Sequence, residues 1–168
     1  MTTHVRANPG KAPASSTSHE GPGRILAADY GRKRIGLALS DALRLTAQPL
    51  TTIMRMNREK DLGRLREICR KNAVSLIIVG HPLHLTGEAG EMADEAARFA
   101  DRLNKNLGIP VELVDERLTT WEARETMQAN KSSRTDRPLD ELAAAVMLRE
   151  YLGRERAQVP PPTLGEAR

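Results

Sequence analysis

The feature that most restricts the fold of this chain is a short apolar run ending on a carboxylate, within RILAADYGRKRIGLALSD at residues 24–41. The run from Ile25 to Ala28 contains no polar residue, which predicts a strand buried on both faces. Asp29 follows it directly. Because an ionised carboxylate at the edge of a core costs several kcal/mol unless it is paired, Asp29 needs a partner. The basic turn that follows, or a metal ion, could serve.

The patterns around this strand predict an α/β fold built on a mixed sheet. RILAAD and RIGLALSD flank a short turn and predict a hairpin, and PLTTIMR predicts a third antiparallel strand. A helix over 59–72, the strand VSLIIVG, a helix over 88–107 and the strand VELVDE then alternate. Three antiparallel strands followed by parallel strands imply helices on both faces of the sheet.

Two further helix signals lie in the last third of the chain. Thr119 and Glu122 have the spacing of a capping box, and Pro138 suits the first turn of a final helix that reaches about Leu152. Trp121 is interpreted as a packing residue, with base stacking as the alternative.

The chain is expected to form one domain with two tails. Its 168 residues suit a single domain. Residues 1–23 are rich in Pro, Gly, Ser and Thr, and residues 153–168 contain three consecutive prolines, so both segments are predicted to be disordered tails. The domain itself is therefore expected to span residues 24–152.

The composition of the chain limits which classes of molecule it is expected to bind. An aromatic fraction of 2% leaves few stacking surfaces for bases, while a formal charge of +4 favours a polyanion or simply reflects an ordinary soluble surface. Cys69 is the only cysteine, which excludes a disulfide framework, and its helical stripe predicts core packing. Nothing matches an apolar membrane span or a signal peptide, so we expect a cytoplasmic protein without a membrane partner.

Carboxylates at strand ends are the candidates for chemistry, because ligands gather at the carboxyl ends of parallel strands. Asp29 ends the first strand, the pair Asp115 and Glu116 ends VELVDE, and Asp140 lies in the first turn of the last helix. Oxygen ligands suit Mg²⁺ or Mn²⁺, and two such ions can activate water and stabilise the leaving oxygen of a phosphodiester. Structural alternatives remain for Asp140 through the helix dipole and for Glu116 through an ion pair with Arg117.

Glycines and basic residues beside these acids suit phosphate. Gly31 and Gly36 allow a tight turn around RKRI, and the loop GHPLHLTGEAG leads into a helix N-terminus that could receive a phosphate. His81 and His84 in that loop are interpreted as polar loop residues or phosphate contacts, since the proposed ions prefer oxygen. The residues expected to contact nucleic acid are Arg32, Lys33, Arg34, His84 and Arg117.

Four segments, DYGRKRIGLALSD, IIVGHPLHLTGEAG, DERLTTWEAR and LDELAAAVMLREYL, together resemble the YqgF family. This family is also called Holliday junction resolvase-like or pre-16S rRNA nuclease, and it has an RNase H-like fold. The resemblance runs from about Arg24 to Leu152. DYGRKRIG alone is unspecific, because a DxG turn also opens the sugar kinase and actin folds, whereas DERLTTWEA at this distance is specific.

The resemblance implies three acidic positions that hold divalent metal. Asp29 is the first, the pair Asp115 and Glu116 the second, and Asp140 the third, with Asp29, Glu116 and Asp140 as the expected catalytic set. Strand alternation sends Asp115 and Glu116 to opposite faces, so one is expected to bind metal while the other packs or pairs with Arg117. The chain departs from the family in its loop, with His81 where Leu is commoner and HLTG in place of NMDG.

The implied function is a metal-dependent nuclease for structured RNA that processes the 5′ end of precursor 16S rRNA, with ribosomal particles as partners. A Holliday junction resolvase acting on branched DNA would use the same site and would require a dimer with paired sites. A catalytically silent RNA-binding or ribosome-binding module is a third hypothesis, since a fold does not establish activity. An ATP-dependent kinase fits least, because those folds contain two copies of this domain.

Overall fold

The structure, a computed structural model, describes residues 22–84, 86–118 and 139–158. The strands are β1 (Arg24–Tyr30), β2 (Arg34–Ser40), β3 (Ala47–Met54), β4 (Val74–His81) and β5 (Val111–Asp115). The helices within these ranges are α1 (Arg58–Lys71), α2 (Glu91–Leu107) and α3 (Leu139–Gln158), and a 3₁₀ turn covers Glu116–Leu118.

These strands form one sheet in the order β3-β2-β1-β4-β5. β1 pairs with β2, and β2 with β3, in antiparallel fashion, whereas β4 is parallel to both β1 and β5. The predicted mixed sheet, with antiparallel strands first and parallel strands after, is confirmed. β1 lies at its centre, so the carboxyl ends of β1, β4 and β5 meet at one edge.

The central strand β1 separates the core into two layers. Its four residues from Ile25 to Ala28 are fully buried, as the apolar run predicts. Leu26 and Ala28 pack with residues of α1 and α2, while Ile25 and Ala27 pack with residues of α3. This alternation assigns the next two residues to opposite faces, because successive side chains of a strand point in opposite directions.

Helices α1 and α2 cover one face of the sheet. The Asn57 side chain caps α1 by accepting a hydrogen bond of 2.9 Å from the backbone N–H of Lys60. Cys69 is 3% exposed and packs in the same layer as Phe99 and Leu103 of α2. Core packing of Cys69 is therefore confirmed, and burial raises the pKa of its thiol to about 11.

Helix α3 covers the other face and is longer than predicted. We expected it to end near Leu152, but it continues to Gln158, so the first six residues assigned to the C-terminal tail are helical. Most of these residues favour helix, and the first residue that cannot continue one is Pro160. Leu152 is the last buried residue of α3, which explains why the apolar pattern stops before the helix does.

Several predicted features lie outside the described residues: the capping box at Thr119, the packing role of Trp121, the first-turn position of Pro138, and most of both tails. Among the described helices, none has the length and apolar character needed to cross a bilayer.

Candidate active site

Asp29 lies at the carboxyl end of β1, on the face of the sheet covered by α3. Its cross-strand neighbour in β2 is Gly36. Burial, with a smaller contribution from the negative charge of Asp140, raises the pKa of Asp29 to about 6. The penultimate residue of the central strand is thus a carboxylic acid that is costly to ionise, next to a second acid.

Gly36 brings Asp140 to this place. A Cβ atom at Gly36 would collide with the backbone carbonyl group of Asp140, so the first turn of α3 rests directly on the β2 backbone. Only a residue without a side chain permits this approach. Asp140, expected from the sequence at the start of the last helix, is therefore placed beside Asp29 by close contact between helix and strand.

Asp140 also faces Arg34, a cation on β2, the strand that carries Gly36. Arg34 Nε lies 2.9 Å from Asp140 Oδ2, but the angle is not that of a hydrogen bond, so this buried oxygen lacks a donor. The Arg34 side chain is 55% exposed and that of Asp140 is 28% exposed. The pair is accordingly weak and open to exchange with solvent or ligand.

Glu116, at the start of the 3₁₀ turn after β5, lies next to β4 on the side of the sheet where Asp29 and Asp140 lie. A Cβ atom at Gly80 of β4 would collide with Glu116 Oε1, and its other close neighbour would be Met147 of α3. Burial, followed by the charges of Asp29 and Asp115, raises the pKa of Glu116 to about 7. Glu116 therefore lies on the α3 face, where Asp29 and Asp140 also lie.

Asp115 is engaged differently from its neighbour. Arg117 Nη2 donates to Asp115 Oδ2 at 2.7 Å, and the backbone N–H of Arg117 donates to Oδ1 at 2.9 Å. These hydrogen bonds hold the pKa of Asp115 below its usual range. β5 ends at Asp115 and the 3₁₀ turn begins at Glu116, so the pair separates into one acid bonded to Arg117 and one facing Asp29.

The basic residues singled out from the sequence are distributed over several contacts. Arg32 pairs with Glu91 at 3.1 Å and with Glu95 at 2.9 Å, both on α2, although its side chain remains 55% exposed. Lys33 is exposed at the tip of the turn. Arg34 faces Asp140, and Arg117 is bonded to Asp115. These two predicted phosphate contacts are therefore already paired with acids in or beside the candidate site.

The histidines lie in the loop after β4. His81 is the register partner of Asp115, and its charge contributes to lowering the pKa of that acid. His84 is exposed, and its ring stands against Gly90 at the start of α2. Its carbonyl oxygen accepts from the backbone N–H of Gly87 at 2.8 Å and from Arg117 Nη1 at 3.4 Å. This loop is thereby tied to the turn that carries Glu116.

Sequence reasoning missed Arg55, which holds the basic turn in place. Arg55 Nη1 donates to the Tyr30 hydroxyl at 2.9 Å and to the carbonyl oxygens of Gly31 and Arg32, at 3.2 Å each. Its backbone N–H donates to the carbonyl of Lys33 at 2.9 Å. The predicted hairpin register could have indicated the position of Arg55, because the residue after β3 must lie beside the β1–β2 turn.

The three acids on the α3 face, Asp29, Glu116 and Asp140, offer hard oxygen donors of the kind that Mg²⁺ and Mn²⁺ bind. The donor chemistry fits such an ion, and the buried Asp140 Oδ2 without a hydrogen-bond donor is consistent with it. Across residues 22–84, 86–118 and 139–158, however, no group of three or more His, Cys, Asp or Glu side chains is close enough to hold a metal. Arg34 faces Asp140 instead.

Comparison with known proteins gives a family match and a fold match. Residues 23–154 match the family model described as RuvX, Holliday junction resolvase. A protein of Syntrophus aciditrophicus named "Putative pre-16S rRNA nuclease" is 45% identical over 131 residues, covering 77% of this chain and 87% of that protein. One of the same name from Koribacter versatilis is 41% identical over 134 residues, covering 79% and 88%.

Among solved structures, the chain is similar to Thermus thermophilus RuvC in complex with a Holliday junction substrate. The TM-score is 0.57 at 12% sequence identity, and the match covers 80% of this chain and 96% of that one. At this identity the likeness concerns the fold, which is the predicted RNase H-like arrangement.

Proposed function

The chain belongs to the RuvX family of Holliday junction resolvases, a family of nucleases and hence of hydrolases, and on that premise we propose that it cleaves phosphodiester bonds in structured RNA. The observation that carries this proposal is that three acids from three elements lie on one face at the same end of the sheet. Asp29, Glu116 and Asp140 share the α3 face, and the charges of Asp140 and Glu116 are both coupled to Asp29.

This convergence is difficult to explain by stability alone. Burial is the main cause that raises the pKa values of Asp29 and Glu116 to about 6 and about 7, and repulsion from neighbouring negative charges adds to it. Strained sites of this kind concentrate where proteins bind ligands or catalyse reactions. A bound cation would remove the repulsion.

We infer that the cation is Mg²⁺ or Mn²⁺ and that Asp29, Glu116 and Asp140 would hold it. A divalent ion in such a site supplies an activated water and charge stabilisation at the phosphate. Asp115 was also expected among the ligands. Its hydrogen bonds to Arg117 favour a supporting role, in which the Asp115–Arg117 pair orients the turn that carries Glu116.

The basic residues would then position the substrate. Arg34 gives Asp140 a counter-charge in the absence of metal, and its exposed guanidinium can turn to a phosphate. Lys33, at the tip of the same turn, provides a second cation in water. Arg32, Arg117 and His84 remain proposed contacts. Arg32 and Arg117 would contact phosphate while also paired with the acids that they already bind.

The proposed substrate is precursor 16S rRNA, cleaved at its 5′ end in ribosomal particles in the cytoplasm. Support comes from the names of the relatives, which share up to 45% identity over most of the described domain. A second candidate, cleavage of branched DNA, is favoured by the family description itself. Junction resolution would require two sites acting in a dimer, whereas RNA trimming would not.

One experiment tests the site. Purified protein is incubated with precursor rRNA fragments and with synthetic four-way junctions, in Mg²⁺, in Mn²⁺ and in EDTA, beside Asp29→Asn and Asp140→Asn. We expect metal-dependent cleavage of RNA by the native protein and at least 100-fold slower cleavage by both variants, since each removes a ligand charge.

The control is Asp101→Asn, which makes the same chemical change at an exposed α2 residue paired with Lys105. It should cleave like the native protein. Undiminished cleavage by Asp29→Asn would exclude the proposed site, and preferred cleavage of junctions by a dimer would replace RNA by branched DNA as the substrate.

A further inference from the structure

A basic cavity lies on the opposite face of the sheet from the three acids. It has a volume of about 250 Å³ and opens beside the start of α1. Its lining consists of Arg55, Arg58, Asp61, Leu62, Phe99 and Arg102. Three arginines face one aspartate, which leaves two positive charges in excess.

Asp61, the one acid among the described residues that line this cavity, is already paired with a cation. Asp61 is 6% exposed at its side chain, accepts a hydrogen bond of 3.0 Å from the backbone N–H of Met56, and lies 3.5 Å from Arg55 Nε. Arg55 Nε is itself buried without a hydrogen-bond acceptor. The remaining charge of the cavity therefore belongs to the other two arginines.

Arg58 and Arg102 have exposed or partly exposed guanidinium groups that no described residue binds. Within the part of the chain that the structure describes, neither side chain makes a hydrogen bond or an ion pair. Arg58 is also the first residue of α1, where the helix dipole disfavours a cation. Its position thus detracts from stability, and a binding role accounts for it better than a structural one.

The apolar part of the lining increases the effect of these charges. Leu62 and Phe99 contribute apolar surface to the lining, and next to such a surface the effective dielectric constant is lower than in water. An anion with several oxygen acceptors suits two or three guanidinium groups arranged in this way, and a phosphate is such an anion.

Arg55 connects this cavity to the candidate active site. The same side chain that lines the cavity donates to the carbonyl oxygens of Gly31 and Arg32, in the turn that carries exposed Lys33 and leads to Arg34. Beyond that turn, Arg34 faces Asp140. The cations Arg55, Lys33 and Arg34 therefore follow the β1–β2 turn from the cavity side of the sheet to the acids.

We propose that this cavity binds a backbone phosphate of the nucleic-acid strand whose neighbouring segment crosses the β1–β2 turn toward Asp29. The proposal rests on the proposed nuclease function and extends its binding surface to the α1 and α2 side of the sheet. Continuity with the turn favours a strand phosphate over free phosphate, because an isolated anion site would need no connection to the acids.

The test measures binding separately from cleavage. Affinity for a labelled RNA hairpin is measured by fluorescence anisotropy, in EDTA and over a range of salt concentrations, for the native protein and for Arg58→Ala combined with Arg102→Ala. Losing one phosphate contact should weaken binding and reduce the slope of log K against log salt by about 1. Arg58→Lys combined with Arg102→Lys should keep most of the slope, since the charge is retained.

The matched control is Arg66→Ala combined with Arg70→Ala, which removes two arginines from α1 at a second cavity, of about 230 Å³. It should leave the slope unchanged. Equal slopes for the cavity variant and this control would overturn the proposal. If phosphate raises the melting temperature of the native protein more than that of the cavity variant while slopes stay equal, the site takes a free anion, and the strand proposal is wrong.

The nuclease proposal and the cavity proposal can each be contradicted without the other. A native protein that binds RNA with the predicted slope change but cuts nothing would remove the nuclease function and leave the cavity assigned. A native protein that cuts RNA while the cavity variant keeps its slope would do the reverse.

Discussion

At the scale of single residues, the acids that converge differ from the acids that are merely close in sequence. Asp115 and Glu116 are neighbours, yet hydrogen bonds from Arg117 lower the pKa of the first while burial and negative neighbours raise that of the second to about 7. The sequence left this pair undecided because their roles depend on which face of the sheet each residue of β5 occupies. Val114 packs with residues of α3, so alternation sends Asp115 to the opposite face and Glu116 back to the α3 face.

The raised pKa of Asp29 predicts how stability depends on pH in the absence of metal. The folded-state pKa is about 6, above the usual value of 3.8. Below the lower value Asp29 is protonated in both states and costs nothing. As pH rises from 3.8 through about 6, the unfolded state ionises Asp29 freely while the folded state must ionise a partly buried acid, so stability is lost, by roughly 1 to 3 kcal/mol.

The measurement is the free energy of unfolding by urea in EDTA, between pH 4.5 and pH 7.5. We expect Asp29→Asn to lose less stability over this interval than the native protein and to match or exceed it at pH 7.5. Asp101→Asn, at an exposed position, should follow the native curve. Parallel curves for Asp29→Asn and the native protein would show that Asp29 is not strained.

At the scale of elements, the position of α3 depends on a glycine in the strand beneath it. Gly36→Ala places a methyl group where the carbonyl of Asp140 lies, so the helix must shift. We expect a loss of roughly 1 to 3 kcal/mol in unfolding free energy, as for other overpacked sites. Cleavage should fall further than stability explains, because Asp140 moves with the helix.

Gly63→Ala is the matched control for this prediction. Gly63 lies within α1 with open space around its missing side chain, so the same change should raise stability by about 0.5 to 1 kcal/mol. Unfolding free energies and cleavage rates of both variants decide the matter. Native cleavage by Gly36→Ala would mean that the helix tolerates displacement.

Local sequence patterns predicted the strands and helices better than they predicted the side-chain contacts between them. The apolar run in β1 and the stripe containing Cys69 were enough to place both in the core, as the structure confirms. Arg32 was expected to contact phosphate, but its ion pairs with Glu91 and Glu95 join residues about sixty positions apart, and no local pattern reports such a pairing. Arg55 escaped notice for the same reason.

At the scale of the whole molecule, the extent of the folded unit is testable by limited proteolysis with a nonspecific protease. We expect the resistant fragment to end near Gln158 rather than at Gly153, because cleavage within α3 requires local unfolding. At the other end, the Pro, Gly, Ser and Thr content of residues 1–21 predicts early removal. Mass spectrometry of the fragment gives both ends.

A fragment ending near residue 152 would show that the last turns of α3 open readily, and that the folded unit ends where the sequence predicts. Urea unfolding of residues 22–158 alone provides the second check. Its free energy should equal that of the full chain if the buried residues, which end at Leu152 in α3, account for the stability of the whole.

The alternation along β1 limits how this chain can vary in length. Asp29 belongs to the acidic face and Tyr30, whose ring packs on Phe99, to the other. A single-residue insertion or deletion upstream in the strand would exchange the two, placing a phenol among the acids and a carboxylate against Phe99. Diversity in β1 must therefore arise by substitution alone, whereas residues added to the β2–β3 connection, where Leu43 and Leu45 are exposed, would leave the alternation of β1 unchanged.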